Sequence, residues 1–235
     1  MKKQRLLLVV LTTLWMLPSF SRIQDIIPNA SLEIIYSYYA HLPPRYCDIG
    51  EHMHLLKQLA QECPHVTEIG IGPVVSTWGL LQGLAENRSP LRTYIGIDLV
   101  SPPEDYTLAR NLAEQKGIRF VFQKGNDLFL TILPTDLLFI DSLHTYCQLT
   151  YELETFSPMV RKYIALHDTS EPWGDRDDSE YIGNYSEYPA HYNRTKRGLW
   201  PAVEDFLRSH SEWTLLERYF NCHGFTILQR THSSE

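Results

Sequence analysis

Three places in the sequence gather residue types that bind or transform a ligand. The first is Glu68-Ile69-Gly70-Ile71-Gly72, an acid followed by two glycines, with Ser76-Thr77 just behind it. Glycines here let backbone N–H groups approach a ligand closely, and a helix start beyond them favours negative charge. Further along stands Asp98, placed so that a carboxylate can accept both hydroxyls of a ribose. The second place is Asp141-x-x-His144, which projects a carboxylate and an imidazole from one turn, and the third is His167-Asp168-Thr169. Carboxylate and imidazole side chains supply general bases and ligands for divalent cations.

These groups can cooperate only if the fold brings them to one edge. Five apolar runs are predicted as strands: His65–Ile71, Thr93–Leu99, Arg119–Gly125, Asp136–Ser142 and Lys162–Asp168. They are rich in Ile, Val and Phe with little alternation, as strands buried on both faces of a parallel sheet are. Between them, Leu108, Ala109, Leu112 and Ala113 share a helix face ended by Lys116-Gly117, and Tyr146, Leu149, Leu153 and Phe156 repeat that spacing before Pro158. Leu199, Trp200, Val203, Phe206 and Leu207 form a further amphipathic helix, followed by Trp213–Phe220 and Phe225–Gln229 around the turn-prone Asn221-Cys222-His223-Gly224. The pattern predicts an α/β chain with a Rossmann-like open, mostly parallel sheet, a C-terminal antiparallel hairpin, and helices on both faces. Asp25–Tyr39 and His52–Cys63 are predicted as two helices covering the ligand crevice. The division is then 1–21 leader, 22–64 helical cover and 65–235 Rossmann-like domain.

Composition narrows the partners. The chain has 235 residues, 43% hydrophobic and 21% charged, which is ordinary globular usage and excludes wholesale disorder. A formal net charge of −7 argues against nucleic acid as a partner. Lys2, Lys3 and Arg5, then the apolar stretch from Leu6 to Leu17, then Pro18-Ser19-Phe20-Ser21, have the three parts of a signal peptide. The apolar stretch falls short of the roughly 20 residues that cross a bilayer core. The expectation is an exported chain, or one anchored to a membrane through this segment alone; the alternative is a cytoplasmic chain in which the segment is a buried or membrane-surface N-terminal helix. Cys47, Cys63, Cys147 and Cys222 are too widely spaced for a zinc rhythm and suit either disulfides or reduced thiols. Asn29, Asn87, Asn184 and Asn193 begin Asn-x-Ser/Thr sequons.

The acid-Gly-x-Gly turn with an acid at the second strand end describes a site for an adenosine-containing cofactor. Pro73-Val74-Val75 stands where a dinucleotide fingerprint has its third glycine, which disfavours a nicotinamide oxidoreductase. The order EIGIG, YIGIDL, FQKGNDL, DLLFIDSLHTY, KYIALHDT, helix, hairpin resembles the class I S-adenosylmethionine-dependent methyltransferases, methyltransferase family 24 above all. The resemblance runs from about Glu51 to Arg230. It implies that Glu68, Gly70 and Gly72 line the methionine and ribose side of S-adenosylmethionine, that Asp98 holds the ribose, and that Asn126 and Asp127 flank the adenine. It places Asp141 at the sulfonium. The chain departs from the family pattern at Val74, where many members keep glycine, and at Ser142-Leu143, where Gly or Ala is commoner.

Methyl transfer from a sulfonium is an in-line displacement, so the protein chiefly aligns reactants and excludes water. A hydroxyl acceptor also needs a base or a metal. By resemblance to metal-dependent methylases, His144 is the candidate base, with Asp141 as catalytic partner and Asp141 and Asp168 as candidate Mg²⁺ ligands. His144 and Asp168 could instead serve as structural caps, and His167 is expected to pack or to orient Asp168. Ser170–Lys196 reads as a lid: Trp173, Tyr181, Tyr185, Tyr188 and Tyr192 among Asp175, Arg176, Asp177 and Asp178 suit a polyhydroxylated acceptor, or pack locally. Two functions emerge. One is O-methylation of a small or carbohydrate-like acceptor. The other is an exported non-catalytic module of the same fold that binds a glycan or a protein.

Overall fold

The computed structural model describes residues 22–101, 104–178 and 188–231. The leader, Asn184 and two of the lid tyrosines, Tyr181 and Tyr185, lie outside the described residues. Among those described, seven strands form one sheet: β1 (His65–Ile69), β2 (Arg92–Asp98), β3 (Ile118–Lys124), β4 (Thr135–Ile140), β5 (Val160–His167), β6 (Trp213–Tyr219) and β7 (Phe225–Arg230), in the order β3-β2-β1-β4-β5-β7-β6. The first five pair in parallel, whereas β7 runs antiparallel to both β5 and β6. The strand order reverses between β1 and β4. In open α/β sheets a ligand crevice lies beyond the carboxyl ends of strands at such a point.

Helices pack on both faces, unevenly. Helices α1 (Ile23–Ile26), α2 (Leu32–Ala40), α3 (Met53–Glu62), α4 (Val75–Glu86) and α5 (Asp105–Gln115) lie on one side, α6 (Tyr146–Phe156) and α7 (Leu199–Ser209) on the other. The predicted helix Asp25–Tyr39 is broken in two. Pro28 cannot continue a helix, Asn29 turns left-handed (φ 55), and Ser31 recaps the chain by accepting from Ile34 N–H.

The N-terminal helices do not cover the crevice. They form an outer layer over α4, sharing its core through Ile35, Met53, Leu56 and Trp78, all fully buried. Helix α4 is consequently buried from Ser76 to Leu84, with the sheet on one side and α3 on the other. The approach is close: a Cβ on Gly83 would stand 2.2 Å from the Lys57 carbonyl oxygen and 2.7 Å from Ala60 Cβ.

On the second face, α6 and α7 cover the β4–β5–β7 half through Leu138, Ile140, Ile164, Leu166 and Leu228. The described connection from β3 to β4 holds a single 3₁₀ turn, Asp127–Phe129, instead of a helix. The β1–β3 half therefore carries a groove lined by Thr67, Ile95, Val121 and the loop residues Ile132 and Leu133. All four cysteines are free thiols, three of them buried. Among the described residues no helix is long and apolar enough to cross a membrane.

The α3–α4 contact has a measurable consequence. Gly83→Val would drive a branched side chain into backbone that cannot rotate away, and overpacking of this kind costs about 1–3 kcal/mol. Thermal unfolding should show Tm lower by several degrees; an unchanged Tm would contradict this packing.

Candidate functional site

A hollow of about 440 Å³ opens at the carboxyl ends of β1, β2 and β4, a size that suits a small-molecule ligand. Gly70, Gly72, Asp98, Asn126, Asp127 and Asp141 all line it, together with Ile97, Ser142, Leu143 and Gln148. Gly70 is left-handed (φ +83), and a Cβ there would stand 1.9 Å from the Asp141 carbonyl oxygen. No other residue fits where the first turn crosses the end of β4. Gly72 (φ +48) faces open space. Val74, fully buried at the start of α4, is also left-handed (φ 71), a conformation that is strained for a β-branched residue. That explains in physical terms why a glycine would be at home there.

Asp98 ties the rim together. Its Oδ2 accepts from Ile71 N–H (3.0 Å) and Gly72 N–H (3.2 Å), and Oδ1 accepts from Val100 N–H (2.9 Å). A carboxylate has about four lone-pair positions, so three are taken. One hydroxyl of a diol can add directly, and a second requires a turn N–H to let go. The expectation that Asp98 accepts both hydroxyls of a ribose therefore calls for one of these N–H groups to be released.

Glu68 does not line the hollow. It is fully buried beneath the turn, where it accepts from Ser76 Oγ, Tyr94 OH and, at 2.7 Å, Thr77 Oγ1. Burial outweighs these donors and pushes its carboxyl up to about 7. Glu68 thus fastens the start of α4 to β1 and β2.

At the far end of the hollow, Asn126 caps the 3₁₀ turn by accepting from Leu128 N–H (2.9 Å), and Asp127 Oδ2 accepts from Gln148 Nε2 (2.6 Å). Gln148 also donates to Glu152 Oε1 (3.1 Å) and accepts from Tyr188 OH (2.8 Å). Glu152 is fully buried. Burial first, and then the charge of Asp127, hold its carboxyl well above the usual carboxylate range. Sequence reasoning missed Gln148 and Glu152. Their signal was two polar residues four apart within the apolar surface of α6.

Beside the hollow, Asp141, His144, His167 and Asp168 converge. His144 Nε2 lies 2.8 Å from Asp168 Oδ2 and 3.5 Å from Asp141 Oδ1; His167 Nδ1 lies 3.4 Å from an oxygen of each carboxylate. Asp168 is buried and left-handed (φ 58). Burial works against the charged His144 ring, but its hydrogen bonds to and the charges of Asp141 and Asp168 outweigh it and push His144 up to about 9. His167 is raised for the same reason, and both carboxylates are held low despite their burial by the two imidazoles. Of the described lid aromatics, Trp173 stacks on His144 with ring centroids 5.6 Å apart, Tyr188 is buried against Gln148, and Tyr192 packs against the core. Tyr188 is thus part of the core instead of an acceptor platform. Asp177 Oδ1 accepts from Tyr146 N–H and Gly198 N–H, both at 2.8 Å, which pins the segment to the starts of α6 and α7.

No family model matches the chain, and no curated protein matches it. Solved structures do. An O-methyltransferase from Bacillus cereus in complex with SAH superposes with TM-score 0.53 at 15% identity, covering 89% of this chain and 95% of that one. A Podospora anserina methyltransferase bound to SAH gives 0.51 at 14%, covering 88% and 89%. The O-methyltransferase TomG from Streptomyces achromogenes, involved in tomaymycin synthesis and in complex with SAM, gives 0.50 at 16%, covering 89% and 94%. The fold is that of the class I S-adenosylmethionine-dependent methyltransferases.

The charge balance at His144 is testable. Its folded-state value lies above the ordinary 6.5, so the pairing stabilises the chain fully below about pH 6.5 and is lost as pH rises through about 9. In chelator-treated protein the His144 ring should titrate by NMR with a midpoint near 9. The stability gap between wild type and His144→Gln should shrink between pH 6.5 and 9.5. A midpoint at or below 6.5 would contradict the pairing.

Proposed function

We propose that the chain is an S-adenosylmethionine-dependent O-methyltransferase acting on a small or carbohydrate-like acceptor. One observation carries the reading: the Asp98 carboxylate and the Gly70–Gly72 turn, bonded to each other, share the rim of one hollow at the sheet's reversal point. When bound, S-adenosylmethionine supplies an electrophilic methyl group on a sulfonium. Asp98 would accept from a ribose hydroxyl, Asn126 and Asp127 would hold the adenine side, and Gly70 and Gly72 would admit the methionine portion against bare backbone. Asp141, partly exposed at the hollow, offers negative charge toward the sulfonium. Leu143 and Ile97 give the hollow an apolar wall beside the reacting atoms, which limits water there.

His144 acts as general base. Its Nε2 faces Asp141 and Asp168, which orient it and stabilise the imidazolium that forms on proton uptake. Held between two carboxylates it is already protonated at neutral pH, so it must first be relieved of their charge. A divalent cation on Asp141 and Asp168 would do this. The residues fit such an ion: Asp141, His167 and Asp168 bring ligand atoms within 4.8 Å of one another, and buried His167 Nδ1 and Asp168 Oδ1 have no hydrogen-bond partner. The cation would also lower the pKa of a coordinated hydroxyl.

A second reading rests on the basic and apolar pattern of residues 1–21: an exported or membrane-anchored chain that keeps the fold to bind a glycan or a protein without catalysis. Sequencing the N-terminus of the mature chain tests export. Calorimetry separates the two functions. The full chain should bind S-adenosylmethionine, and Asp98→Ala should weaken it about ten- to hundredfold, the worth of a charge-assisted hydrogen bond. His144→Ala should keep that affinity and lose turnover, read as S-adenosylhomocysteine release across a panel of phenolic and sugar acceptors. No binding at millimolar donor would leave the non-catalytic module.

A further inference from the structure

We propose that His167 is itself a metal ligand through Nδ1, and that with Asp141 and Asp168 it selects a divalent transition ion such as Zn²⁺ or Mn²⁺ over Mg²⁺. The inference rests on the divalent-cation reading of the same cluster and narrows it. It replaces the expectation that His167 merely packs.

The argument begins at the ring's other nitrogen. His167 Nε2 lies 3.0 Å from the Cys222 carbonyl oxygen. A carbonyl oxygen only accepts, so Nε2 carries the hydrogen, and in the neutral ring the Nδ1 lone pair points inward. There it meets one oxygen of Asp141 and one of Asp168, each at 3.4 Å and neither in hydrogen-bonding geometry. The side chain is 1% exposed, so water does not supply the missing donor from bulk. His144 Nε2, 2.8 Å from Asp168 Oδ2, leaves His167 Nδ1 without a partner, and three acceptors converging on one point are resolved by a proton on Nδ1 or, in its place, by a cation. The two spacings from His167 agree: in a tetrahedral shell with bonds of ~2.1 Å, neighbouring ligand atoms stand about 3.4 Å apart.

The outer shell has the form that ligating histidines use, with the remote N–H given to a backbone carbonyl. That carbonyl is firmly held. Cys222, His223 and Gly224 are all left-handed (φ 47, 63 and 97), and the His223 carbonyl accepts from Ser170 N–H at 2.7 Å. A Cβ on Gly224 would stand 2.5 Å from Ser170 N. The β6–β7 hairpin is therefore clamped to the strand end that carries Asp168 and fixes both the ring's tautomer and its direction.

Donor type decides the ion. Mg²⁺ takes oxygen ligands in octahedral geometry and keeps several waters. One imidazole nitrogen with two carboxylates suits borderline transition ions and leaves coordination positions open on the side of Asp141, the exposed member.

The test uses the full chain, stripped by chelator and titrated calorimetrically with Zn²⁺, Mn²⁺ and Mg²⁺. One Zn²⁺ per chain should bind at least a hundredfold more tightly than Mg²⁺. His167→Gln, whose amide can still donate to the Cys222 carbonyl, should weaken Zn²⁺ about ten- to hundredfold. A second measurement needs no variant: pulsed EPR of wild type with one equivalent of Mn²⁺ should show ¹⁴N coupling from one bound imidazole. Equal Zn²⁺ and Mg²⁺ affinities, undiminished Zn²⁺ affinity in His167→Gln, a Mn²⁺ spectrum without ¹⁴N, or no bound metal would each overturn the inference. Loss of S-adenosylmethionine binding with the ¹⁴N signal intact would instead overturn the methyltransferase reading and leave this site standing.

Discussion

The point at which Gly70 meets the Asp141 carbonyl governs the rest of the architecture. β1 and β4 are neighbours because the strand order reverses there, and their first residues beyond the sheet touch backbone to backbone. A side chain at Gly70 would push the two strand ends apart. With them would go the nucleoside-sized hollow on one side and the histidine–aspartate cluster on the other. Asp141 belongs to both. The hollow and the cluster around His144 are thereby brought together by one residue at the end of one strand.

Buried charge divides this edge into two regions. Glu68 and Glu152 are fully buried, and burial pushes Glu68 up to about 7 and Glu152 well above the usual carboxylate range, so neutral donors suffice to hold them as framework. Asp141 and Asp168 are held low because two imidazoles face them. Carboxylates that must stay charged in a buried place need a positive partner, and here the partner is exchangeable: a proton on imidazole or a metal ion. The difference separates acids held by neutral donors from acids held by ionisable partners.

The sequence made the sheet legible because apolar runs buried on both faces have no other use, and it made the gathering of Gly70, Gly72, Asp98, Asp141 and His144 at one edge legible because the position of strand ends follows from topology. Glu68 was misread as a wall of the hollow although the strand period spoke against it. Val66 and Glu68 share a face, and Val66 belongs to the core under α4. The helices of 22–64 were assigned to the crevice because amphipathic pattern says that a face is buried but not against what; the small residues Gly79 and Gly83 on α4 determined where they dock. The uneven covering of the sheet also had a cue, since the stretch between β3 and β4 is too short and too rich in turn residues for a full helix.

What no pattern of side chains could disclose is the part played by backbone. The tautomer of His167 depends on the Cys222 carbonyl, and that carbonyl is in place only because three consecutive left-handed residues turn the hairpin back onto Ser170. Read as sequence, Asn221-Cys222-His223-Gly224 is a link between two strands. In the folded chain it is the outer wall of the cluster, and its rigidity bears on chemistry through a hydrogen bond to the far side of a ring. The antiparallel β6–β7 pair therefore does more than close an edge of the sheet. By lying next to β5 it reaches the strand end where His167 and Asp168 emerge, and a parallel strand in its place would have presented its turn at the opposite edge.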